Sequence, residues 1–331
     1  MTIRERLLLW HSRSPGDVVC MTAAIRDLVE GHPGEYEVHV KTECPELWVH
    51  NPHIAGHYVG SWPRKGLRTI KFPERTLLQT ANIYPRHYLT SFHRVISNEL
   101  GIDVRVRHPH GDLHLEDQEK ERVTDSRPYW LFVAGGKSDM LTKVWPANYS
   151  QILVNSLRNH GLRVVQGGAT NPGHWHPALE GVDSVVGKTS GREFVRWIYH
   201  AAGIICPITF AMHLAAAFNK PCVVIAGGRE PYWWEHYANL PERHFGEHCT
   251  PVRTPHRYLH TIGQMDCCLQ TGCWKSMLSL MTPQREHDCR YPVEAGTGAV
   301  NLSPKCLHSI TPEMVLEAVL SYYEDGTLKS E

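Results

Sequence analysis

Short apolar blocks alternate along the chain with segments whose apolar residues recur at helical spacing. Arg6 to Trp10 is the first block and predicts a strand. From Asp17 onward Val18, Met21, Ile25 and Leu28 share one helical face, and Gly31-His32-Pro33-Gly34 breaks the helix. Tyr36 to Val40 alternates as a strand does, with further short strands expected near Tyr58 and Thr69. Tyr88 to Leu100 predicts an amphipathic helix stopped by Gly101. Arg107 to Pro128 is polar and charged and reads as an inter-domain region with a small helix near Glu116 to Val123. The alternation then resumes. Tyr129 to Ala134 and Leu162 to Gln166 predict strands, and Tyr149 to His160 and Glu193 to His200 predict helices. Repeated strand–helix–strand units imply parallel sheets with helices on their faces.

The most informative stretch is GIICPITFAMHLAAAFNKPCVVIAGG, Gly203 to Gly228. It reads as strand, sharp turn, helix from about Ala211 to Phe218, strand and glycine turn, with Thr209 able to cap the helix. Parallel strands joined through a helix place a ligand crevice at their carboxyl ends. A helix start, a threonine and two glycines at that edge suit a phosphate. The eighteen mostly apolar residues from Ala201 to Phe218 could instead span a membrane, but Pro207, Thr209 and His213 interrupt them. Beyond Gly228 the pattern weakens, and residues 240–310 are loop-like while holding six of the ten cysteines. Thr311-Pro312-Glu313 starts a last helix, with a cap, a proline at its first position and an acid near its positive end. Met314, Val315, Ala318, Val319 and Tyr322 give it an apolar face.

Composition narrows the function classes. At 331 residues the chain has room for two domains. Lysine plus arginine equals aspartate plus glutamate, so no broad nucleic-acid footprint is expected. The amino-terminal apolar run is too short for a signal peptide, which points to the cytoplasm and to reduced cysteines.

Four constellations could carry chemistry. Ser14-Pro15-Gly16-Asp17 puts a carboxylate at a helix start, either as a capping group or as a general base. Gly135-Gly136-Lys137-Ser138 is not a phosphate-binding Walker loop, because Leu131 stands where its first glycine belongs. Lys143, just beyond, could neutralise a diphosphate or be merely solvated. Cys267, Cys268, Cys273, Cys289 and Cys306 hold the makings of a four-thiolate site for zinc or iron, against the plainer reading of five reduced thiols. Arg64 to Arg75 carries five basic residues and one acid, which could attract an acidic acceptor or form a solvated loop.

Five segments, in order, resemble glycosyltransferase family 9, the ADP-heptose heptosyltransferases. They are SPGDVVCMTAAIRDL, TECPELWVHNPHI, KVWPANYSQILVNSL, CPITFAMHLAAAFNKPCVVIAGGREPYWWEHY and SITPEMVLEAV. The resemblance implies the α/β GT-B fold, with two Rossmann-like domains facing each other across a cleft. Residues 1–125 would form the acceptor domain and 126–310 the nucleotide-sugar donor domain, with a Cys-rich finger at 265–308. Residues 311–326 would form a helix returning to the first domain. It implies inverting transfer from a nucleotide-diphosphate sugar, ADP-linked in the family, to a hydroxyl of a glycan, a lipid-linked saccharide or a protein. Asp17 would be the base and Lys143 would hold the donor phosphates. Gly168, Thr209, Phe210, Met212, His213, Gly227, Gly228 and Arg229 would complete the donor site. The cysteines resemble the four-cysteine iron finger of the autotransporter heptosyltransferases. Cys273, Cys289 and Cys306 would be ligands, and the remaining one Cys267 or Cys268. No catalytic metal is expected. One departure concerns specificity: heptosyltransferases have Asp-Thr-Gly before the donor helix, where this chain has Ile208, Thr209 and Phe210. The donor sugar therefore stays open. Two rivals share the fold: a nucleotide-sugar epimerase and a non-catalytic binding protein.

Overall fold

The structure, a computed structural model, describes residues 4–12, 14–58, 66–74, 77–78, 85–238, 244–246, 249–280, 285–295, 302–325 and 327–329. The chain forms two units. The first comprises Met1–Glu121, Ala216–Asn219 and Trp233–Arg253. The second comprises Arg122–Ala215, Lys220–Tyr232 and Thr254–Glu331.

The first unit is built on a parallel sheet of β1 (Glu5–Trp10), β2 (Tyr36–Lys41), β3 (Gly56–His57) and β4 (Arg68–Lys71), in the order β3-β2-β1-β4. Leu7, Leu8 and Leu9 are all buried, as a strand covered on both faces requires. Helix α1 (Pro15–Gly31) follows β1, with Pro15 at its first turn where a missing N–H costs nothing. Its expected apolar stripe understates its burial, because every residue from Val18 to Leu28 is covered. Helix α2 (Leu89–Leu100) packs beside it. The segment at 108–112 lies along it, with Arg26 donating to the carbonyls of His108 (2.8 Å) and His110 (3.1 Å). The small helix expected near Glu116 is a run of turns.

The second unit holds a six-stranded, all-parallel sheet: β5 (Tyr129–Phe132), β6 (Arg163–Gln166), β7 (Asp183–Ser184), β8 (Gly203–Pro207), β9 (Cys222–Gly227) and β10 (Arg257–His260). Their order is β10-β9-β8-β5-β6-β7. Helices α3 (Ala147–Asn159), α4 (Gly191–His200) and α5 (Phe210–Ala217) connect them. Because the strands are parallel, the residues after β5, β6, β8 and β9 emerge at one edge of the sheet. Gly135, Gly168, Thr209 and Gly228 are among them.

The final helix, expected to return to the first domain, falls within the second unit, Thr254–Glu331. After a short α6 (Lys305–His308), α7 (Pro312–Leu320) packs on α3 and β9 of the second unit. Val315 and Val319 join Trp145, Leu153, Val223 and Ile225 in one core, while Met314 is 42% exposed. Polar ties fix the same partner: Trp145 Nε1 donates to Ile310 O at 2.9 Å, and Trp130 Nε1 to Tyr323 Oη at 2.7 Å. An apolar face shows that a helix docks but does not name the sheet it docks on. The later stretches that belong to the first unit are Ala216–Asn219 and Trp233–Arg253. No helix among the described residues is long and apolar enough to cross a membrane.

Candidate active site and cysteine cavity

In the first unit, Asp17 lies in the opening turn of α1, where the exposed N–H groups favour a carboxylate. Its Oδ2 is 3.3 Å from Nε2 of His11, a side chain only 1% exposed, while Asp17 itself is 20% exposed. The other nitrogen of His11, Nδ1, is 3.3 Å from the Phe72 carbonyl. A carbonyl can only accept, so that contact places a proton on Nδ1. His11 was not legible as a partner. The sequence shows only a histidine at a strand end, and it is the β1–α1 turn that brings it back to Asp17.

In the second unit, Lys143 ends a 3-10 turn and its Nζ lies 2.8 Å from Glu230 Oε1 and 3.4 Å from the Ile208 carbonyl. Glu230 is 2% exposed and pairs with Arg229 as well. Burial alone would raise the Glu230 carboxyl; the charges and hydrogen bonds of Lys143 and Arg229 outweigh it and hold it below the usual range. Oε2 of Glu230 is buried without a hydrogen-bond partner. Arg229 is fixed further by donating Nε to the Lys275 carbonyl at 2.6 Å and by lying over the Trp274 ring. Two cations therefore share one carboxylate and keep a net positive charge at the strand edge. Glu230 was not legible from the sequence because Lys143, which it pairs with besides Arg229, lies far away in the chain.

The other expected donor residues divide. Thr209 precedes α5, and its carbonyl accepts from the Met212 amide at 3.0 Å, so that amide is already used. Met212 and His213 are buried, and the Phe210 ring stacks on Phe194 at 6.1 Å. Gly168 lies against His176, whose imidazole would clash with any Cβ there. Burial, helped by His174, pushes that imidazole down to about 4. Gly227 and Gly228, expected to line the nucleotide side, each lie where a side chain would meet a neighbour. A Cβ on Gly227 would stand 2.8 Å from Leu307 Cδ2, and one on Gly228 would stand 2.9 Å from Cys268 Sγ. Lys137 is exposed in a short strand pair, as a solvated lysine would be. In the basic stretch, Arg68 pairs with Glu5 at 3.1 Å and Lys71 lies over the Trp10 ring. Arg64, Lys65 and Arg75 lie outside the described residues.

The five cysteines converge. Cys267, Cys268, Cys273, Cys289 and Cys306 all line one cavity of about 10 Å³, beside Gly228 and Arg229. That is room for a single ion or water. All five are free thiols. Burial and neighbouring sulfurs push Cys267 up to about 12, and Cys289 and Cys306 up to about 11. Cys273 acts electrostatically on Cys267, Cys289 and Cys306, and Cys268 acts on Cys267 and Cys273. The Cys268 thiol also lies within reach of the carbonyls of Thr261 (3.5 Å) and Met265 (3.6 Å) as a donor. The donor chemistry fits a thiophilic cation, which would reverse the penalty of gathering four thiolates.

Two α/β units, each with its own parallel sheet, are the plan of GT-B glycosyltransferases. Residues 74–252, more than half of the chain, match the model for glycosyltransferase family 9 (heptosyltransferase), and the chain belongs to that family. The match holds Lys143, Gly168 and Thr209 to Arg229 but neither Asp17 nor the five cysteines. Three solved structures share the fold over nearly all of this chain. A family 9 glycosyltransferase from Veillonella parvula is 15% identical, with 97% of this chain and 98% of that chain covered and a TM-score of 0.61. ADP-heptose LPS heptosyltransferase II from E. coli is 15% identical, with 96% and 98% covered and a TM-score of 0.56. The iron-containing dodecameric glycosyltransferase TibC from enterotoxigenic E. coli is 15% identical, with 96% and 76% covered and a TM-score of 0.61. No curated protein matches the sequence.

Proposed function

We propose that this family 9 glycosyltransferase moves a sugar, with inversion, from a nucleotide-diphosphate sugar to an acceptor hydroxyl, with Asp17 as the general base. ADP is the nucleotide the family implies, and a glycan, a lipid-linked saccharide or a protein could supply the hydroxyl. The observation that carries the reading is the Asp17 carboxylate at a helix start, partly exposed and oriented by buried His11. Asp17 takes the hydroxyl proton as the oxygen attacks the anomeric carbon, and the bond to the diphosphate breaks. Lys143 and Arg229 offset the charge growing on the leaving diphosphate. Their shared partner Glu230 fixes their geometry beforehand, and its unpartnered oxygen is free to accept from a donor hydroxyl. Mass spectrometry of reactions with a panel of nucleotide sugars and acceptors tests the assignment. Asp17→Asn is expected to lower transfer by about 10²–10⁴-fold while donor binding persists. Full activity in that variant would remove Asp17 from the role.

The cysteine cavity supports a structural metal, iron or zinc, held by Cys267, Cys273, Cys289 and Cys306. Cys268 is left out because its thiol is turned to backbone carbonyls. TibC, described as iron-containing, lends iron the first place. When bound, the metal would supply a tetrahedral cross-link between loops and take no part in the transfer. In elemental analysis the metal content should fall by one equivalent in Cys273→Ser/Cys289→Ser and stay unchanged in Cys268→Ser. Purified protein with neither metal would overturn the site.

A further inference from the structure

The first unit holds a second set of metal-ligating side chains, chemically unlike the cysteines. One ring nitrogen of His53, one of His114 and a carboxylate oxygen of Asp112 all lie within 4.8 Å of one another. Asp112 Oδ2 is 2.9 Å from His114 Nε2 and 3.5 Å from His53 Nε2. Ligands bound at zinc distances in a tetrahedron lie roughly 3.3–3.6 Å apart, so the His53–Asp112 pair already stands at that spacing and the His114–Asp112 pair needs to open by a few tenths of an ångström. The two rings stand edge to face, 6.2 Å apart between centroids. All three side chains are half-buried, open enough for an ion to enter.

The backbone that presents them is held in place before any ion arrives. Asn51 ties the two ligand segments together. Its Oδ1 accepts from the His53 amide at 2.9 Å, and its Nδ2 lies 3.3 Å from both the carbonyl and Oδ2 of Asp112. The Asp112 amide donates to Thr22 Oγ1 of α1 at 2.7 Å. Gly111 packs so tightly on Val19 that an added Cβ would stand 2.3 Å from its Cγ1. Glu30, also on α1, places Oε1 3.9 Å from His53 Nε2, within reach of a fourth position that water could equally fill.

We propose that His53, Asp112 and His114 bind a first-row divalent cation through two imidazoles and one carboxylate, with zinc the fitting probe. Nitrogen and oxygen donors suit zinc, cobalt and nickel, whereas the four thiolates of the second unit draw softer binding. The ion joins the loop at 51–53 to the segment at 112–114, both fastened along α1, the helix that carries Asp17. Its role is a clasp on the first unit, separate from the sugar-transfer chemistry.

The test is metal stoichiometry on the full chain. Wild type, His53→Gln/His114→Gln and Asp112→Asn are stripped with chelator and titrated with zinc by calorimetry and with cobalt by absorption. The double variant is expected to take up one equivalent fewer than wild type, with its thiolate-to-cobalt charge-transfer band undiminished. Asp112→Asn keeps the side-chain volume and should weaken that same equivalent by about tenfold or more. Circular dichroism establishes that each variant is folded, and a misfolded double variant is replaced by His114→Gln alone. Equal uptake by wild type and a folded histidine variant, or a zinc affinity untouched by Asp112→Asn, would overturn the site and leave a hydrogen-bonded His–Asp–His cluster.

Discussion

At the residue scale, Asp27 shows how this molecule manages buried charge. It lies inside the first unit between Arg26, whose Nε donates to Oδ1 at 2.9 Å, and His93, whose Nε2 is 2.8 Å from Oδ2. Burial alone would raise its carboxyl; the hydrogen bond and charge of His93 and those of Arg26 win, and it falls from 3.8 to about 2. A carboxyl with a depressed folded pKa contributes stability above its unfolded value and loses it as pH drops through the folded one. The window here runs from 3.8 down to about 2. At 1.36 kcal/mol per unit the contribution is about 2 kcal/mol. Asp27→Asn lacks that share. The gap in unfolding free energy between wild type and variant should therefore narrow by about 2 kcal/mol from pH 5 to pH 2 in denaturant titrations. A gap constant over that range would dismiss the assignment. Pairs of this kind, like Lys143 with Glu230 and His11 with Asp17, join residues through the fold. Residue type and local spacing do not reveal them.

Local rules read the elements well and their partners poorly. The strands at Arg6 to Trp10, Tyr129 and Gly203, and the helix at Tyr88, were legible because apolar period, glycine stops and prolines act within a few residues. Thr311 was legible as a cap, and its side chain does accept from the Met314 amide. The capping box of Ser190 with Glu193 passed unnoticed, since it lies just ahead of the helix pattern. The docking of α7 could not be read locally, because Val315 and Val319 would suit either sheet. Tyr322, just after that helix, gives a decisive measurement. Its hydroxyl lies 2.7 Å from the Pro255 carbonyl and 3.1 Å from the Cys222 carbonyl. Tyr322→Phe leaves buried carbonyls short of a donor and should cost about 1–3 kcal/mol in urea unfolding. A neutral result would mean that the carboxyl-terminal segment is not seated on β9.

For the whole molecule, the consequence hardest to see in the sequence is that the first unit is discontinuous. Residues 240–310 read as loop because they lack periodic apolar residues, yet Trp233–Arg253 belongs to the first unit. It is attached by backbone and rings together. The Tyr88 amide donates to the Trp234 carbonyl at 2.7 Å while the two rings stack 5.0 Å apart. The His87 amide donates to the His244 carbonyl at 2.8 Å, and the His87 ring stacks on Phe245 at 4.7 Å. The Thr250 amide donates to Arg107 at 2.9 Å, and fully buried Tyr237 reaches Cys20 on α1. A fragment ending at Glu121 would expose Tyr88, His87 and part of α1, and leave their backbone groups to water. Each aromatic pair contributes about 0.5–1.5 kcal/mol beyond its buried area, against a stability of about 5–15 kcal/mol for a whole domain. The fragment 1–121 should therefore show no cooperative thermal transition by near-ultraviolet circular dichroism. The same fragment joined to residues 233–253 through a flexible linker should recover one. Cooperative melting of the short fragment at the temperature of the full chain would show that the first unit needs only its amino-terminal piece.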